Sequence, residues 1–387
     1  MSIQKLPAEI LEVIFKNLDG WSFSKAKEVC KSWCNVLKTL QKDQRLWQKF
    51  CVLEIPEGVI EDVLSFKSVP LGNLTMDWSA LYKKWHRGKM IKGKNFHIRV
   101  IQALCSNPVT CMKISGSWII AGHSNGFLSV WNLNSGELHQ KCRCHLKTVT
   151  DMALVDLLNL GSYYGSEDLP WSHHHIITVS KDTCIRIMSL LEHLGSSESE
   201  IVLNKHGDAI NSIYCISQAG RLNVHDMKKD EWFELSYFKS CLFKGIEKRP
   251  VITAYYTFRN QIVIMFTASG KMIVSIHENS YKTYVLMTTL QSLIVSVALQ
   301  GPILALGGEN GRLYLYYVPN NRSLLELDLR NPTFQYTLSE ASIVSVDILY
   351  EYDSPTVVAS TNESLFVIKW DKNTIAASNE SQMHLCR

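Results

Sequence analysis

The chain has 387 residues, of which 46% are hydrophobic and 20% are charged, and its formal net charge at pH 7 is +4. This composition is typical of a globular protein and excludes fibrous and intrinsically disordered classes. Eleven cysteines at irregular spacings predict reduced thiols, and therefore the cytosol or the nucleus. We expect no secretory signal, because the N-terminus has no basic segment followed by a long apolar segment. We expect no membrane partner, because no stretch approaches the roughly 18 uninterrupted apolar residues that a spanning helix needs.

Positive charge is concentrated in the first quarter of the chain. Residues 1–94 contain 16 Lys and Arg against 10 Asp and Glu, whereas the remainder contains 24 against 26. The excess lies in a run without acidic residues: Lys83, Lys84, Arg87, Lys89, Lys92 and Lys94. Such a run is either a nucleic-acid patch or a solvated connector between domains. No nucleic-acid-binding module accompanies it, so we favour the connector and expect no nucleic-acid partner.

The first predicted helix carries one wide apolar stripe. Its members recur at helical spacing: Ile10, Leu11, Ile14, Phe15 and Leu18. Pro7 suits the first turn, where its missing N–H costs nothing, and Gly20 suits the stop.

Two further helices are predicted before residue 51. The second takes Ser22 or Ser24 as its N-cap, and its apolar residues recur at three- and four-residue steps: Ala26, Val29, Cys30, Trp33, Leu37 and Leu40. Asp43 is the predicted N-cap of a third, short helix with Leu46, Trp47 and Phe50. About 45 residues can hardly bury this much apolar surface alone, so the stripe packs on the rest of the chain or binds a partner.

The order Leu6-Pro7, Ile10-Leu11, Ile14-Phe15, Leu18, Val29-Cys30-Lys31-x-Trp33, Leu46-Trp47 closely resembles an F-box over residues 3–51. In that family the module docks on the Skp adaptor of a cullin–RING ubiquitin ligase. The resemblance implies an adaptor face formed by Leu6, Pro7, Ile10, Ile14, Leu18, Val29, Cys30 and Trp33. Some of these residues must instead be the core of the module, and spacing does not separate the two groups. The alternative is an ordinary helical subdomain.

Residues 54–94 read as a helical linker. Val59-Ile60, Val63-Leu64, Trp78, Leu81-Tyr82 and Trp85 follow helical spacing. We therefore predict three domains: residues 1–53 as the F-box, 54–94 as helices that brace it against the third domain, and 95–387 as that third domain, built of β-strands.

From Phe96 onward the pattern changes to short β-rich runs separated by Gly, Asn, Asp and Ser. Six hairpins recur, with turns near residues 126, 183, 220, 270, 311 and 364. Their spacing is close to the ~40–45 residues of four-stranded propeller blades with insertions. We predict six blades and leave a seventh open. The strand Phe96–Ile101 is expected to close the ring beside the last strand, and residues 157–173 to form a long inserted loop.

This part of the chain resembles a WD-repeat β-propeller across residues 95–387. Trp370-Asp371 is the true Trp-Asp pair, with Trp131-Asn132 and His225-Asp226 as weaker versions. His145 lies where such repeats place a histidine that hydrogen-bonds an aspartate within a blade. The fold class is therefore α+β multidomain: an all-α three-helix F-box, a helical linker, and an all-β propeller.

No catalytic constellation is present in the sequence. Gly307-Gly308-Glu309-Asn310-Gly311 lies in a hairpin and not before a helix, as a phosphate loop requires. His173-His174-His175 lacks a completing Cys or Asp for a metal site, and Cys142 and Cys144 read as small hydrophobes on one strand face. We expect no enzyme activity, no metal and no cofactor.

The combined prediction is a substrate-recognition subunit of a Skp–cullin–F-box ligase in the cytoplasm or nucleus, with the propeller binding the target. The alternatives are a propeller scaffold whose F-box-like helices do not deliver a substrate and, less favoured, an enzymatic propeller. The predicted target-binding rim holds cationic residues: His123, Arg143, His145, Lys147, Lys181, Lys205, His206, Lys248 and Arg249. Asp182, Asp208 and Glu309 oppose them, and the later blades are expected to add few charges. Arg143, Lys147, Lys181 and Arg249 are the predicted contacts to an acidic or phosphorylated target.

Overall fold

The computed structural model describes residues 6–55, 77–93, 95–102, 107–156, 174–182, 184–189, 212–216, 222–226, 231–234, 251–258, 262–276, 280–349 and 354–370. The chain divides into two compact units, Met1–Lys89 and Met90–Arg387. Within the described residues, no helix has the length and apolarity to cross a membrane.

The first unit is helical. Its described helices are α1 (Ala8–Lys16), α2 (Gly20–Ala26), α3 (Lys31–Leu40), α4 (Gln44–Glu54) and α5 (Trp78–Arg87). A 3-10 helix, Gly88–Lys92, follows α5. As predicted, the Asp43 side chain caps α4 by accepting a hydrogen bond from the Arg45 N–H.

The prediction of three helices before residue 54 is wrong, because the second predicted helix is split into α2 and α3. Cys30 between them is extended, with φ −162° and ψ 166°. Asp19, not Ser22 or Ser24, is the N-cap of α2, where it accepts from the Ser22 N–H at 2.8 Å. The spacing from Ala26 to Leu40 imitates one apolar stripe, but Val29 is exposed.

Gly20 begins α2 and does not end α1, which also corrects the sequence interpretation. A Cβ at this position would lie 2.6 Å from the Tyr82 ring, so glycine permits a close approach of α2 to α5. Glu54 joins the same helices: its carboxylate accepts from the Tyr82 hydroxyl at 2.6 Å and from the Gly20 N–H at 2.7 Å. The polar groups of this contact are thereby satisfied.

An aromatic core holds the first unit together. Phe23, Trp47 and Phe50 are fully buried, with the Phe23 and Trp47 ring centroids 5.6 Å apart in an edge-to-face arrangement. The ring centroids of Tyr82 of α5 and Trp47 lie 5.6 Å apart, and α5 packs on α4. The other predicted linker helix, with Val59–Leu64, lies outside the described residues.

The second unit consists of antiparallel sheets. One sheet of four consecutive strands is β2–β5 (Val109–Ser115, Trp118–His123, Phe127–Asn132, Leu138–Arg143). A second is β12–β15 (Ile252–Phe258, Ile262–Thr267, Lys271–Ile276, Ser280–Val285). A third is β16–β19 (Ile294–Gln300, Ile303–Gly308, Arg312–Tyr317, Phe334–Thr337), with the short helix α6 (Asn321–Leu325) before its last strand.

Three more sheets have three strands in sequence. They are β6–β8 (Val149–Asp156, His174–Ser180, Ile185–Ser189), β9–β11 (Ser212–Ile216, Leu222–Asp226, Glu231–Glu234) and β20–β22 (Ser345–Leu349, Thr356–Ser360, Ser364–Trp370). The last is completed by β1 (Phe96–Gln102), which pairs with β22 from Phe96 opposite Trp370 to Gln102 opposite Ser364. This pairing confirms the predicted closing strand, and it covers an edge that would otherwise be exposed.

The first strands of five sheets form a ring in the order β2, β6, β12, β16 and β20. β2 packs beside β6, β12 beside β16, β16 beside β20, and β20 beside β2. A side-chain hydrogen bond between Tyr255 and Asp151 links β12 to β6. Hydroxyl groups join them: Thr110 Oγ1 donates to the Val149 carbonyl at 2.5 Å, and Thr253 Oγ1 donates to the Ile294 carbonyl at 2.8 Å. Ser345 Oγ accepts from the Met112 N–H at 3.1 Å and closes the ring.

The arrangement is a five-blade β-propeller, so the prediction of six blades with a seventh left open is wrong. The Tyr255 hydroxyl of β12 donates to Asp151 of β6 at 3.1 Å. This bond directly joins the two sheets that flank β9–β11 in the chain, and the predicted third repeat is therefore not a blade between them. A hairpin pattern reveals strand pairing within a sheet, whereas blade number depends on which first strands pack side by side.

The core of the five-blade arrangement lies between blades. Every residue of β13 and β17 is buried, whereas β5 and β15 at the outer edge are largely exposed. Residues from neighbouring blades share clusters, as when Ile303 and Leu313 pack with Val357. The rigid blades position the loops at their ends.

Candidate functional site

The structure sorts the predicted adaptor face into exposed and half-buried residues. Pro7, Ile10, Ile14 and Val29 are exposed, with 48% of Ile10, 40% of Ile14 and 62% of Val29 accessible. Leu6, Leu18, Cys30 and Trp33 are half-buried. Leu11 and Phe15, which share the periodic stripe, are fully buried in the core. The split arises because the stripe is wider than the face that the other helices cover.

Val13 extends the exposed apolar surface and was missed by the sequence analysis. Val13 is 59% exposed on α1. It lies three residues after Ile10, about one helical turn, and directly precedes Ile14. The missed signal was its spacing of three from Ile10. These three residues, here called the α1 patch, have no role in the core of the unit that would explain their apolar character.

Trp33 lies at the boundary between this surface and the core. Its ring packs edge-to-face on Phe15, with centroids 5.1 Å apart. Its indole N–H is buried and has no hydrogen-bond partner among the described residues. An unsatisfied buried donor costs about 1–3 kcal/mol.

The second candidate surface is the rim, defined as the turn between the second and third strands of each blade together with the loop that enters the next blade. These segments meet as predicted: the Cys144 N–H donates to the Gly126 carbonyl at 3.0 Å, and the Leu338 N–H donates to the Gly311 carbonyl at 3.0 Å. Arg143, Lys147 and Lys181 are exposed here. Arg249, Lys205, His206, Lys248 and Asp208 lie outside the described residues.

His145 is buried within the second blade and does not belong to the accessible rim. Its Nδ1 lies 3.0 Å from Asp182 Oδ2, and its Nε2 lies 2.9 Å from Thr178 Oγ1. Because a carboxylate only accepts, Nδ1 carries a proton and donates to Asp182. The expected histidine–aspartate hydrogen bond is present.

Asp182 is engaged inside the blade and does not oppose the rim cations. Burial acts to raise its pKa, but the N–H groups of Leu146 and Cys184 and the ring of His145 donate to the carboxylate and outweigh it. The pKa of Asp182 therefore lies well below its usual range. The carboxylate is anionic and internally paired at neutral pH.

His123, predicted for the rim, is also buried. Its Nδ1 lies 3.1 Å from the Asn107 carbonyl, and its Nε2 lies 2.7 Å from Ser129 Oγ. Ser129 in turn accepts from the Trp131 indole N–H at 2.9 Å. Burial lowers the pKa of His123, so the neutral ring links the strands of the first blade.

The later blades carry three exposed acids on the rim, which corrects the expectation that they contribute few charges. Glu309 lies in the β17–β18 turn, Glu340 in the loop between β19 and β20, and Glu363 in the β21–β22 turn. Applying the rim definition to these loops would have found Glu340 and Glu363. The rim therefore presents cations near the first two blades and three acids near the last two, with the exposed Arg312 at the start of β18 following the first of these acids.

A polar cluster joins the first strands inside the ring. Lys113 Nζ lies 4.0 Å from Asp347 Oδ1, and the Asp347 carboxylate also accepts from the Ile114 N–H at 2.8 Å. The Asp347 carboxylate raises the pKa of Lys113, with Asp151 acting in the same direction. The cluster ties three blades together. Among the described residues, no group of three or more His, Cys, Asp or Glu is arranged to hold a metal ion.

Residues 3–53 match the F-box-like family. Among solved structures, the chain matches the computationally designed Ika8 protein with 12% identity and a TM-score of 0.39, over 69% of this chain and 97% of that one. That likeness is too distant to inform the function.

The chain has an F-box-like domain at its N-terminus and a five-blade β-propeller-like domain after it. This arrangement is consistent with an F-box/propeller protein.

Proposed function

We propose that this protein is the substrate-recognition subunit of a Skp–cullin–F-box ubiquitin ligase. The F-box-like domain would bind the Skp adaptor, and the propeller would bind the target. Catalysis would belong to other subunits, and this chain would contribute proximity by holding the target near the loaded conjugating enzyme. We also propose that the protein resides in the cytoplasm or nucleus, where it would encounter the other ligase subunits.

The exposed apolar residues of the F-box-like domain carry this proposal. Ile10, Ile14 and Val29 expose 40–62% of their surface in a domain of this family. Burying a large aliphatic side chain contributes roughly 1.5–3 kcal/mol when complete, so covering these half-exposed residues would contribute about 1 kcal/mol each. We propose that they bind the adaptor together with Leu6, Pro7, Leu18, Cys30 and Trp33, and that Val13 extends the face.

We further propose that the blades are degenerate WD repeats. The buried His145–Asp182 pair and the hydrogen bonds among His123, Ser129 and Trp131 support this assignment. Such networks within a blade orient the loops that form the rim.

The cationic part of the rim is the proposed contact for an acidic or phosphorylated target segment. Arg143, Lys147 and Lys181 are exposed, and the nearby Asp182 is paired internally. The Arg143 guanidinium also lies 6.0 Å from the Phe127 ring centroid, which restricts its motion. Arg249 is included in the proposal from the sequence.

The test is capture of the adaptor and cullin by the full-length chain. Ile10→Asp combined with Ile14→Asp is expected to abolish recovery of both, because it places two charges where apolar contacts are required. Leu6→Ala with Pro7→Ala should weaken recovery. Val52→Asp is the matched control, since Val52 is 63% exposed on α4 in the same unit but lies outside the proposed face.

Unchanged adaptor recovery by the Ile10 and Ile14 double variant would refute this adaptor face. Recovery of the adaptor without the cullin, or without ubiquitin transfer to any captured protein, would favour the scaffold alternative. Strand signal in the circular dichroism spectrum of each variant checks that the propeller remains folded.

A further inference from the structure

A groove opens on the rim between the third and fourth blades. It has a volume of about 510 Å³ and lies among the β13–β14 turn, the β15–β16 loop and the β17–β18 turn. Its lining includes Ala268, Ser269, Met287, Gln291, Leu293 and Glu309. This volume accommodates two or three side chains of an extended peptide, since small-ligand sites typically span roughly 300–1,000 Å³.

The groove exists because one entering loop takes a different path from its counterparts. In the first and fourth blades, a Cβ added at Gly126 or Gly311 would collide with a backbone carbonyl of the following loop, that of His145 or Ser339. At the equivalent Gly270 of the third blade, the nearest atoms belong to the side chains of Met287 and Leu293, with Met287 Cγ at 2.7 Å. The space next to the turn glycine is therefore occupied by side chains in the third blade and by backbone carbonyls in the first and fourth blades.

The loop that makes this difference is held in a strained conformation. Residues 286–293 begin with a helical turn, in which the Leu290 N–H donates to the Leu286 carbonyl at 2.7 Å. Gln291 follows with φ +53°, and it is the one non-glycine residue with positive φ in the described part of the chain. A left-handed conformation costs a residue with a Cβ about 1–2 kcal/mol. Strain of this kind often accompanies a binding loop, and here it lies in the wall of the groove.

The chemistry of the groove is apolar at one side and anionic at the other. Met287 is 51% exposed beside Leu293 and Ala268. The exposed Glu309 carboxylate forms no ion pair with any described residue, and the described lining contains no Lys or Arg. Glu340 and Glu363 lie on the same half of the rim and increase the negative potential. A ligand would therefore need a positive group next to an apolar one.

We propose that this groove binds an extended segment of a target protein in which a Lys or Arg lies beside a large apolar residue. The cation pairs with Glu309, and the apolar side chain packs on Met287 and Leu293. This inference rests on the proposed function, in which the propeller captures a target, and adds a second contact distinct from the cationic part of the rim. A target would thus contact positive charges on the cationic part of the rim and the negative charge of Glu309 in the groove, which lie on different blades.

The experiment selects displayed random heptapeptides on the full-length chain, and then measures the enriched peptides by fluorescence anisotropy. The enriched peptides are expected to share a Lys or Arg adjacent to, or two residues from, a Leu, Met or aromatic residue. Glu309→Lys should weaken their binding about tenfold or more, because it replaces an attraction by a repulsion. A peptide with Glu in place of the basic residue should bind the Glu309→Lys variant about tenfold better than the wild type.

Glu363→Lys is the matched control, since it reverses an exposed acid on the same half of the rim outside the groove lining. It should change binding by about twofold or less, which is the effect of a screened, distant charge. Enriched peptides without a basic residue, or equal weakening by both variants, would overturn the proposal. Adaptor recovery is measured on the same preparations. If the adaptor is not recovered but the expected peptides are enriched, the ligase role is refuted and the groove is not. If the adaptor is recovered but the expected peptides are not enriched, the groove alone is refuted.

Discussion

The two units present different kinds of surface to a partner. In the first, the α1 patch is apolar and its residues lie above a fully packed aromatic core. In the second, the rim is built from charged loops, with Arg143, Lys147 and Lys181 on one part and Glu309, Glu340 and Glu363 on another. Apolar burial is non-directional and is not screened by salt, and it suits one constant partner. Charge complementarity suits discrimination among partners and weakens with salt.

The largest expected effect tests whether the two units are energetically separate. Phe23→Ala removes a fully buried ring that contacts Trp47 and Phe50. It should destabilise the first unit by about 3–5 kcal/mol. Hydrogen exchange followed by mass spectrometry should then show faster exchange in α1–α5 and unchanged protection in β2–β5 and β12–β22. Equal loss of protection in both units would show that they unfold together.

A pair of glycine variants compares the closed and open loops of the rim. Gly126→Ala should destabilise the second unit by about 2–3 kcal/mol, because the new Cβ would meet the His145 backbone carbonyl. Gly270→Ala should cost less, about 1–2 kcal/mol, because the new Cβ meets the Met287 side chain, which must shift, and the positive φ adds strain. Urea midpoints measure the difference. A larger cost at Gly270 would contradict the different loop path inferred for the groove.

Charge reversal on the cationic part of the rim addresses the contrast in recognition. Replacing Arg143, Lys147, Lys181 and Arg249 by Glu should weaken capture of a target found by proximity labelling by about tenfold or more, with adaptor capture retained. Raising the salt concentration to about 1 M, where the Debye length is ~3 Å, should reduce target capture and leave adaptor capture nearly unchanged. If high salt also weakened adaptor capture, charge pairing would contribute to adaptor binding as well, and the proposed contrast between the two surfaces would be wrong.

The smallest expected effect is a difference in acid sensitivity. His86 of α5 stacks on Trp21 with ring centroids 4.2 Å apart, and burial lowers its pKa to about 4 from 6.5. Because the unfolded chain binds the proton more readily, the first unit should lose stability as the pH falls from about 6.5 to 4. His86→Phe keeps the stacking and should remove this dependence, as measured by urea midpoints at pH 7 and pH 5.

Asp182 gives the second unit a lower pH range of sensitivity. Its pKa in the folded chain is depressed, so its contribution is present above the unfolded value near 3.9 and is lost as the pH falls further. Asp182→Asn should be destabilising at neutral pH and should flatten the loss of stability below about pH 4. An equal slope in wild type and variant would mean that the pair with His145 does not act as described.

Particular residues show how far sequence reasoning reached at the candidate sites. The N-cap Asp43, the closing strand Phe96–Gln102 and the His145–aspartate bond were predictable, because each depends on a local or repeating pattern. The helix break before Lys31 and the exposure of Val13 were not, since the periodicity of an apolar stripe does not state which part of it a neighbour covers. Glu340 and Glu363 were available to the same rim definition and were overlooked.

By itself, the sequence determined the helical N-terminal domain and its apolar stripe, as well as the repeated hairpins that build the blades. Helical and strand periodicity express which face of an element is apolar, and short-range patterns carry that information fully. Only the tertiary structure decided that five blades close the ring, through the Tyr255–Asp151 hydrogen bond, and that a groove opens where the side chains of Met287 and Leu293 lie nearest to the turn glycine. These features depend on which segments, distant in the sequence, pack against each other. The spacing of residues within one segment does not specify the segment that it will contact.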